Sequence, residues 1–257
     1  MDKQGLILCS KYAISPNSLG YCGPDENESL SQHLEENLVD KEVNHILSEF
    51  ETMYPYLQLI AKENRIRDPF NQKVVEAYWL GNFLLNNVHK SDYLSFLQEK
   101  LSMEKKVIKK DFQKIKEKLS RYPFLPQHTF HVFNIFKKMS KDISLQTLAA
   151  MDECRIGYGK IIKKLKIKSQ NDNSKFKNNI ILSINTQPLK FGDLLQLGDV
   201  VKREIKTDFE NNRLIDELKS GDWVSFHWGQ VCDKLTEIQV KNLNYYTQQA
   251  INFFNQE

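Results

Sequence analysis

The chain has 257 residues, 40% hydrophobic and 27% charged, with a formal net charge of +3. This composition fits a soluble globular protein with room for one large domain or two modest ones. No run of about 18 uncharged apolar residues occurs, which argues against a membrane-spanning helix. Asp2 and the short apolar stretch after it do not make a signal peptide, so a cytoplasmic location is expected.

The first notable segment, Tyr12 to Asp25, is dense in Gly and Pro and reads as a constrained loop holding Cys22 between Gly20 and Gly23. A loop of this kind fixes the direction of its cysteine, as a ligand or nucleophile requires. Packing of Cys22 against neighbouring helices is the plainer alternative. Glu28 to Met53 repeats apolar residues near a helical period, and Tyr56 to Ala61 continues as a short helix after Pro55. Asp68 and Pro69 predict a helix start, with the helix running to about Leu85 and Tyr78 and Trp79 on its apolar face. On that helix, Glu76 is placed to orient a histidine or simply to occupy the helix surface. Ser91 opens another helix, and Met103 to Leu119 reads as amphipathic. His128 follows two prolines and begins the last helix of this half.

From about Arg155 the pattern changes to short strands: Lys160 to Lys168, Asn179 to Asn185, Asp199 to Thr207 and Trp223 to Trp228. Strands without intervening helices predict a small barrel or sandwich. A helix, Leu235 to Phe254, closes the sequence. The fold class expected is α+β, with an α-helical domain at 1–147 and a β module with its helix at 150–257.

Lysine-rich stretches at 103–121 and 160–177 lack interleaved aromatics, so they predict a solvated face and argue against nucleic acid as a partner. The four cysteines (Cys9, Cys22, Cys154, Cys232) form no Cys-x-x-Cys pair and no disulfide framework, leaving free thiols or metal ligands. His128 and His131 share one helix face at i and i+3 and can bind one metal, or lie buried and hydrogen-bonded among phenylalanines. With Cys22 they offer ligand types suited to iron or zinc, or a thiol activated by an imidazole. Nucleotide-binding and common hydrolase motifs are absent.

Cys154 with Gly159, then Gly221, Asp222, Trp223 and Val224, then His227 and Gly229 before a helix, together resemble the HypC/HupF family of hydrogenase-maturation chaperones. The resemblance covers about 100 residues. It implies an OB-like β-barrel, an iron–cyanide–carbonyl fragment held by Cys154 with His227 beside it, a metalloenzyme client as partner, and no catalysis by the chain itself. The sequence departs from that family in three ways: Cys154 is internal, Tyr158 replaces a proline, and residues 168–206 form a longer central region. Cys22 with its flanking glycines, the segment around Tyr78 and the one around His128 also resemble a full-length bacterial family of unknown function. Three readings follow: an accessory protein handling an iron fragment through Cys154; a metal- or thiol-dependent enzyme centred on Cys22, His128 and His131; or an interaction module without metal.

Overall fold

The computed structural model describes residues 2–24, 30, 33, 40–106, 109–136, 147–168, 178–207 and 213–256. Helices α1 (Lys3–Ser18), α2 (Lys41–Ser48), α3 (Met53–Glu63), α4 (Gln72–Trp79), α5 (Lys90–Glu99), α6 (Met103–Lys106) and α7 (Lys109–Arg121) come first, with a 3-10 turn at Phe83–Asn87. Next, α8 (His128–His131) widens into a π turn, Val132–Phe136, and α9 (Leu148–Cys154) leads into the strands. These are β1 (Gly157–Lys168), β2 (Asn178–Thr186), β3 (Leu189–Phe191), β4 (Leu195–Leu197), β5 (Val201–Thr207), β6 (Trp223–His227) and β7 (Gln230–Leu235). A short α10 (Arg213–Glu217) interrupts them, and α11 (Glu237–Asn255) follows. The protein is thus a mixed helix-and-sheet structure.

Five strands form one antiparallel sheet in the order β5-β2-β1-β6-β7, and β3 and β4 pair separately. The two edges, β5 and β7, touch without a hydrogen-bonded ladder, so the sheet curls but does not close into a barrel. The face it curls around holds a small core of Ile161, Leu182, Ile184, Ile205, Val224 and Phe226. The larger core joins the helices to the strand region, running from Leu6 through Tyr78 and Ile156 to Leu235 and Phe253. Strand β6 serves both: Val224 and Phe226 face the small core, while Ser225 and His227 are buried against α1.

Several expected boundaries move. Tyr12 to Ser18 is helix rather than loop, because α1 is packed between helices and sheet. Its residues from Tyr12 to Asn17 are all buried, so no amphipathic stripe betrays it. Asp68 does not cap a helix. Its carboxylate instead accepts the Phe70 N–H, and α4 starts at Gln72 behind the N-cap Asn71. That helix ends at Trp79, where Gly81 takes φ +88°, a left-handed conformation that glycine tolerates. Cys154 does not open a strand but ends α9, and β1 begins three residues later. Most of the expected helix between Glu28 and Asp40 lies outside the described residues.

One contact fixes α1 on α4. The Asp2 carboxylate accepts the Gly5 N–H at 3.1 Å and the Gln72 N–H at 2.9 Å, capping the first and touching the second helix start. A Cβ at Gly5 would run into the Phe70 carbonyl. Gly→Ala in a helix interior ordinarily gains about 1 kcal/mol. Here the clash is with backbone, which cannot rotate away, and overpacking of this kind costs about 1–3 kcal/mol. We expect Gly5→Ala to lower stability, read as a fall in the urea midpoint. A rise would mean that the two helices are not held this closely.

Candidate functional site: a cavity of thiols and imidazoles

All five residues singled out in the sequence (Cys22, His128, His131, Cys154 and His227) line one cavity of about 450 Å³. Its walls come from the loop after α1, the start of α3, the end of α4, α8 with its π turn, the end of α9 and the β6–β7 turn. One ligand atom from each of His128, Cys154 and His227 lies within 4.8 Å of the other two. The two imidazoles meet edge to face, with centroids 5.1 Å apart. Cys22 and His131 share the cavity but stand outside this trio.

The orientation of His227 is set from α1. Pro16 has no N–H to close the helical bond to the Tyr12 carbonyl. The ring Nδ1 of His227 lies 2.8 Å from that carbonyl. A carbonyl only accepts, so Nδ1 carries the proton and Nε2 carries a lone pair. Among the described residues, that Nε2 is buried and makes no hydrogen bond of ordinary geometry, although the Cys154 backbone lies near enough to the ring to oppose the fall in its pKa. His128 is held at both nitrogens: Nε2 donates to the Cys154 carbonyl at 2.8 Å, and Nδ1 lies 3.1 Å from the Tyr78 hydroxyl. His131 Nδ1 lies 3.0 Å from the Tyr56 hydroxyl, which meets the Tyr93 hydroxyl at 2.9 Å.

Burial makes every one of these groups neutral. It drives His227 down to about 4 and His131 down to about 3. His128 also falls well below its usual range, through burial first and the neighbouring His227 second. The Cys154 thiol is pushed up to about 12 by burial and then by Cys22, with Trp228 opposing. Burial and Glu51 raise Cys22 to about 11. The cavity therefore holds neutral thiols and neutral imidazoles, not a thiolate–imidazolium pair.

Tyr21, which lines the cavity, packs its ring on Trp228 at a tilt of 35°, with centroids 4.4 Å apart. Trp228 and Gly229 form the two-residue turn between β6 and β7 with φ +49° and +73°, as a type I′ turn requires. A bulky residue in that region is strained. Its amide donates to the Glu153 carbonyl at 2.9 Å, tying the turn to α9 beside Cys154.

Sequence reading missed Tyr78, Pro16 and Trp228 as partners of the site. It also misplaced Glu76, whose carboxylate accepts from Gln239 at 2.8 Å rather than from a histidine. Pro16 gave no signal, because Tyr12 to Asp25 reads as a loop in sequence, and only the structure places Pro16 inside a helix where the Tyr12 carbonyl needs another donor.

Donor chemistry suits a metal. Bonds of about 2.0–2.3 Å put the ligand atoms of a tetrahedral ion about 3.5 Å apart. The trio therefore needs a contraction, and His227 Nε2 makes no hydrogen bond of ordinary geometry among the described residues. The fold and this cavity define a mixed helix-and-sheet protein with a buried thiol–imidazole cluster. The chain belongs to DUF6390, a family of unknown function that matches residues 1–257. No curated protein and no solved structure matches it. Among the described residues, no helix is long and apolar enough to cross a membrane.

Proposed function

We propose that this chain is an accessory protein that takes up an iron-containing fragment and delivers it to a metalloenzyme client. Cys154 is the anchoring ligand, with His128 and His227 beside it. The observation that carries the reading is the buried, unpartnered Nε2 of His227 beside a thiol and a second imidazole. An unsatisfied buried polar atom costs about 1–3 kcal/mol, and a metal ion offsets that cost by taking the lone pair. Thiolate is a soft, strong donor suited to low-spin iron. For His128 to join through Nε2, its hydrogen bond to the Cys154 carbonyl must break and its proton move to Nδ1, where the Tyr78 hydroxyl can accept it.

In this reading residues 150–257 derive from a HypC-like module, its curled sheet being an opened OB-like barrel, and the α-helical part at 1–147 closes over the metal. The partner is a protein client in the cytoplasm, and the chain itself is not an enzyme. The thiol-enzyme alternative has less in its favour, because an uncharged thiol beside an uncharged imidazole is a poor nucleophile.

The test is metal analysis with infrared and visible spectra on anaerobically purified wild type and Cys154→Ala. Stoichiometric iron in the wild type, lost in the variant while the circular dichroism spectrum persists, is the expected result. Iron retained by Cys154→Ala would sink the reading.

A further inference from the structure

We propose that Cys22 supplies a second thiolate to this site, completing a charge-neutral two-cysteine, two-histidine centre for a borderline-soft divalent ion such as Zn²⁺, Co²⁺ or Fe²⁺. The inference rests on the reading above and extends it to the full ligand set.

Charge is the first argument. A divalent ion held by the Cys154 thiolate and two neutral imidazoles leaves one net positive charge in a cavity walled by Phe50, Met53, Trp79 and Phe136. Burying an uncompensated charge costs several kcal/mol. Glu49 and Glu51, also in the lining, are exposed side chains. Tyr21 and Tyr78 also line the cavity, but Cys22 is the remaining thiol there, the softer donor that becomes an anion by binding metal directly. When both thiols give their protons to solvent and two sulfur–metal bonds form, the centre is neutral.

Position is the second argument. Tyr21, next to Cys22, packs on Trp228, which is next to the ligand His227. The Asn17 side-chain amide donates to the Cys22 carbonyl at 3.0 Å and the Pro24 carbonyl at 2.6 Å, holding the loop on both sides of the thiol. Gly23, at φ +89°, packs directly on the Phe50 ring, leaving no room for a side chain. The loop is thereby pressed onto the cavity, so that Cys22 lines the same space as Cys154, outside the trio within 4.8 Å, and metal binding would draw its thiol inward. The unpartnered Nε2 of His227 points to a ligand independently of Cys22.

The test uses Co²⁺ as the probe, titrated into metal-free wild type, Cys22→Ser and Cys154→Ser. Sulfur-to-cobalt charge-transfer absorbance counts thiolates. Each serine variant is expected to show about half the wild-type intensity. Outer-shell changes already cost 10–100-fold in metal affinity, so loss of a ligand is expected to cost at least about 100-fold. In parallel, wild type is alkylated with iodoacetamide and mapped by mass spectrometry, which needs no variant to fold. Co²⁺ is expected to protect both Cys22 and Cys154. Full charge-transfer intensity in Cys22→Ser, or Cys22 alkylated equally with and without Co²⁺, overturns the second thiolate and leaves the Cys154 site standing. Failure of wild type to take up Co²⁺ overturns the four-ligand divalent site, while the iron reading stands or falls on the iron analysis above.

Discussion

Stability of the metal-free protein should fall steeply once the pH drops below about 6.5. His128, His131 and His227 are buried neutral, with His227 driven down to about 4 and His131 to about 3. In the unfolded chain each titrates near 6.5. Between those values the unfolded state binds more protons than the native state, so stability rises with pH there and is lost on acidification. One pH unit is worth about 1.4 kcal/mol per group. Three histidines thus cost about 4 kcal/mol at pH 5.5, a large share of a typical 5–15 kcal/mol.

The thiols act at the other end. Cys9 and Cys154 are raised to about 12 and Cys22 to about 11, against a starting value of 9.0. Their contribution is complete below about pH 9 and is lost as the pH rises further. Urea midpoints measured from pH 4 to 10 should therefore peak between about 6.5 and 9. A flat profile from pH 5 to 8 would mean that the imidazoles are solvated. Bound metal should lift the whole curve, by about 2.7 kcal/mol at a hundredfold excess over Kd.

His227→Ala is expected to be the most damaging single change in the cavity, because His227 serves two structures at once. Its Nδ1–H satisfies the Tyr12 carbonyl that Pro16 leaves open, and it contributes one ligand atom to the trio with His128 and Cys154. Removal strands a buried carbonyl, costing about 1–3 kcal/mol. It also opens a void against Trp79, whose ring centroid lies 5.7 Å away. A loss of about 3 kcal/mol in apo stability is expected, with metal affinity lower by at least about 100-fold. Gln at this position can donate to the carbonyl but presents no imidazole. His227→Gln should recover part of the stability and none of the affinity, as read by urea unfolding and Co²⁺ titration side by side. Equal metal binding in both variants and the wild type would remove His227 from the ligand set.

Strong local patterns showed through. The Gly221 turn feeding β6 and the long terminal helix are written in residues whose conformations are nearly forced: Gly221 sits at φ +95°, and Thr236 and Gln239 make a capping box at the start of α11. Strands β3 and β4 have three residues each and give little periodic signal. Helix α1 is buried continuously from Tyr12 to Asn17, which erases there the amphipathic stripe on which such a reading depends. Of the site, the ligand-type residues were legible because Cys and His are few: four and six in the chain.

The sequence by itself determined which side chains carry soft or imidazole donors, and that Gly20 and Gly23 hold Cys22 in a tight turn. Only tertiary packing decided that Cys22, His128, Cys154 and His227, up to 205 positions apart in the chain, face one cavity. Their meeting depends on α1 lying between α4 and β6, a contact between segments more than 200 residues apart. No local propensity encodes such a contact. It arises because the buried faces of α1 and β6 are stable only against each other, and that packing also fixes the tautomer of His227.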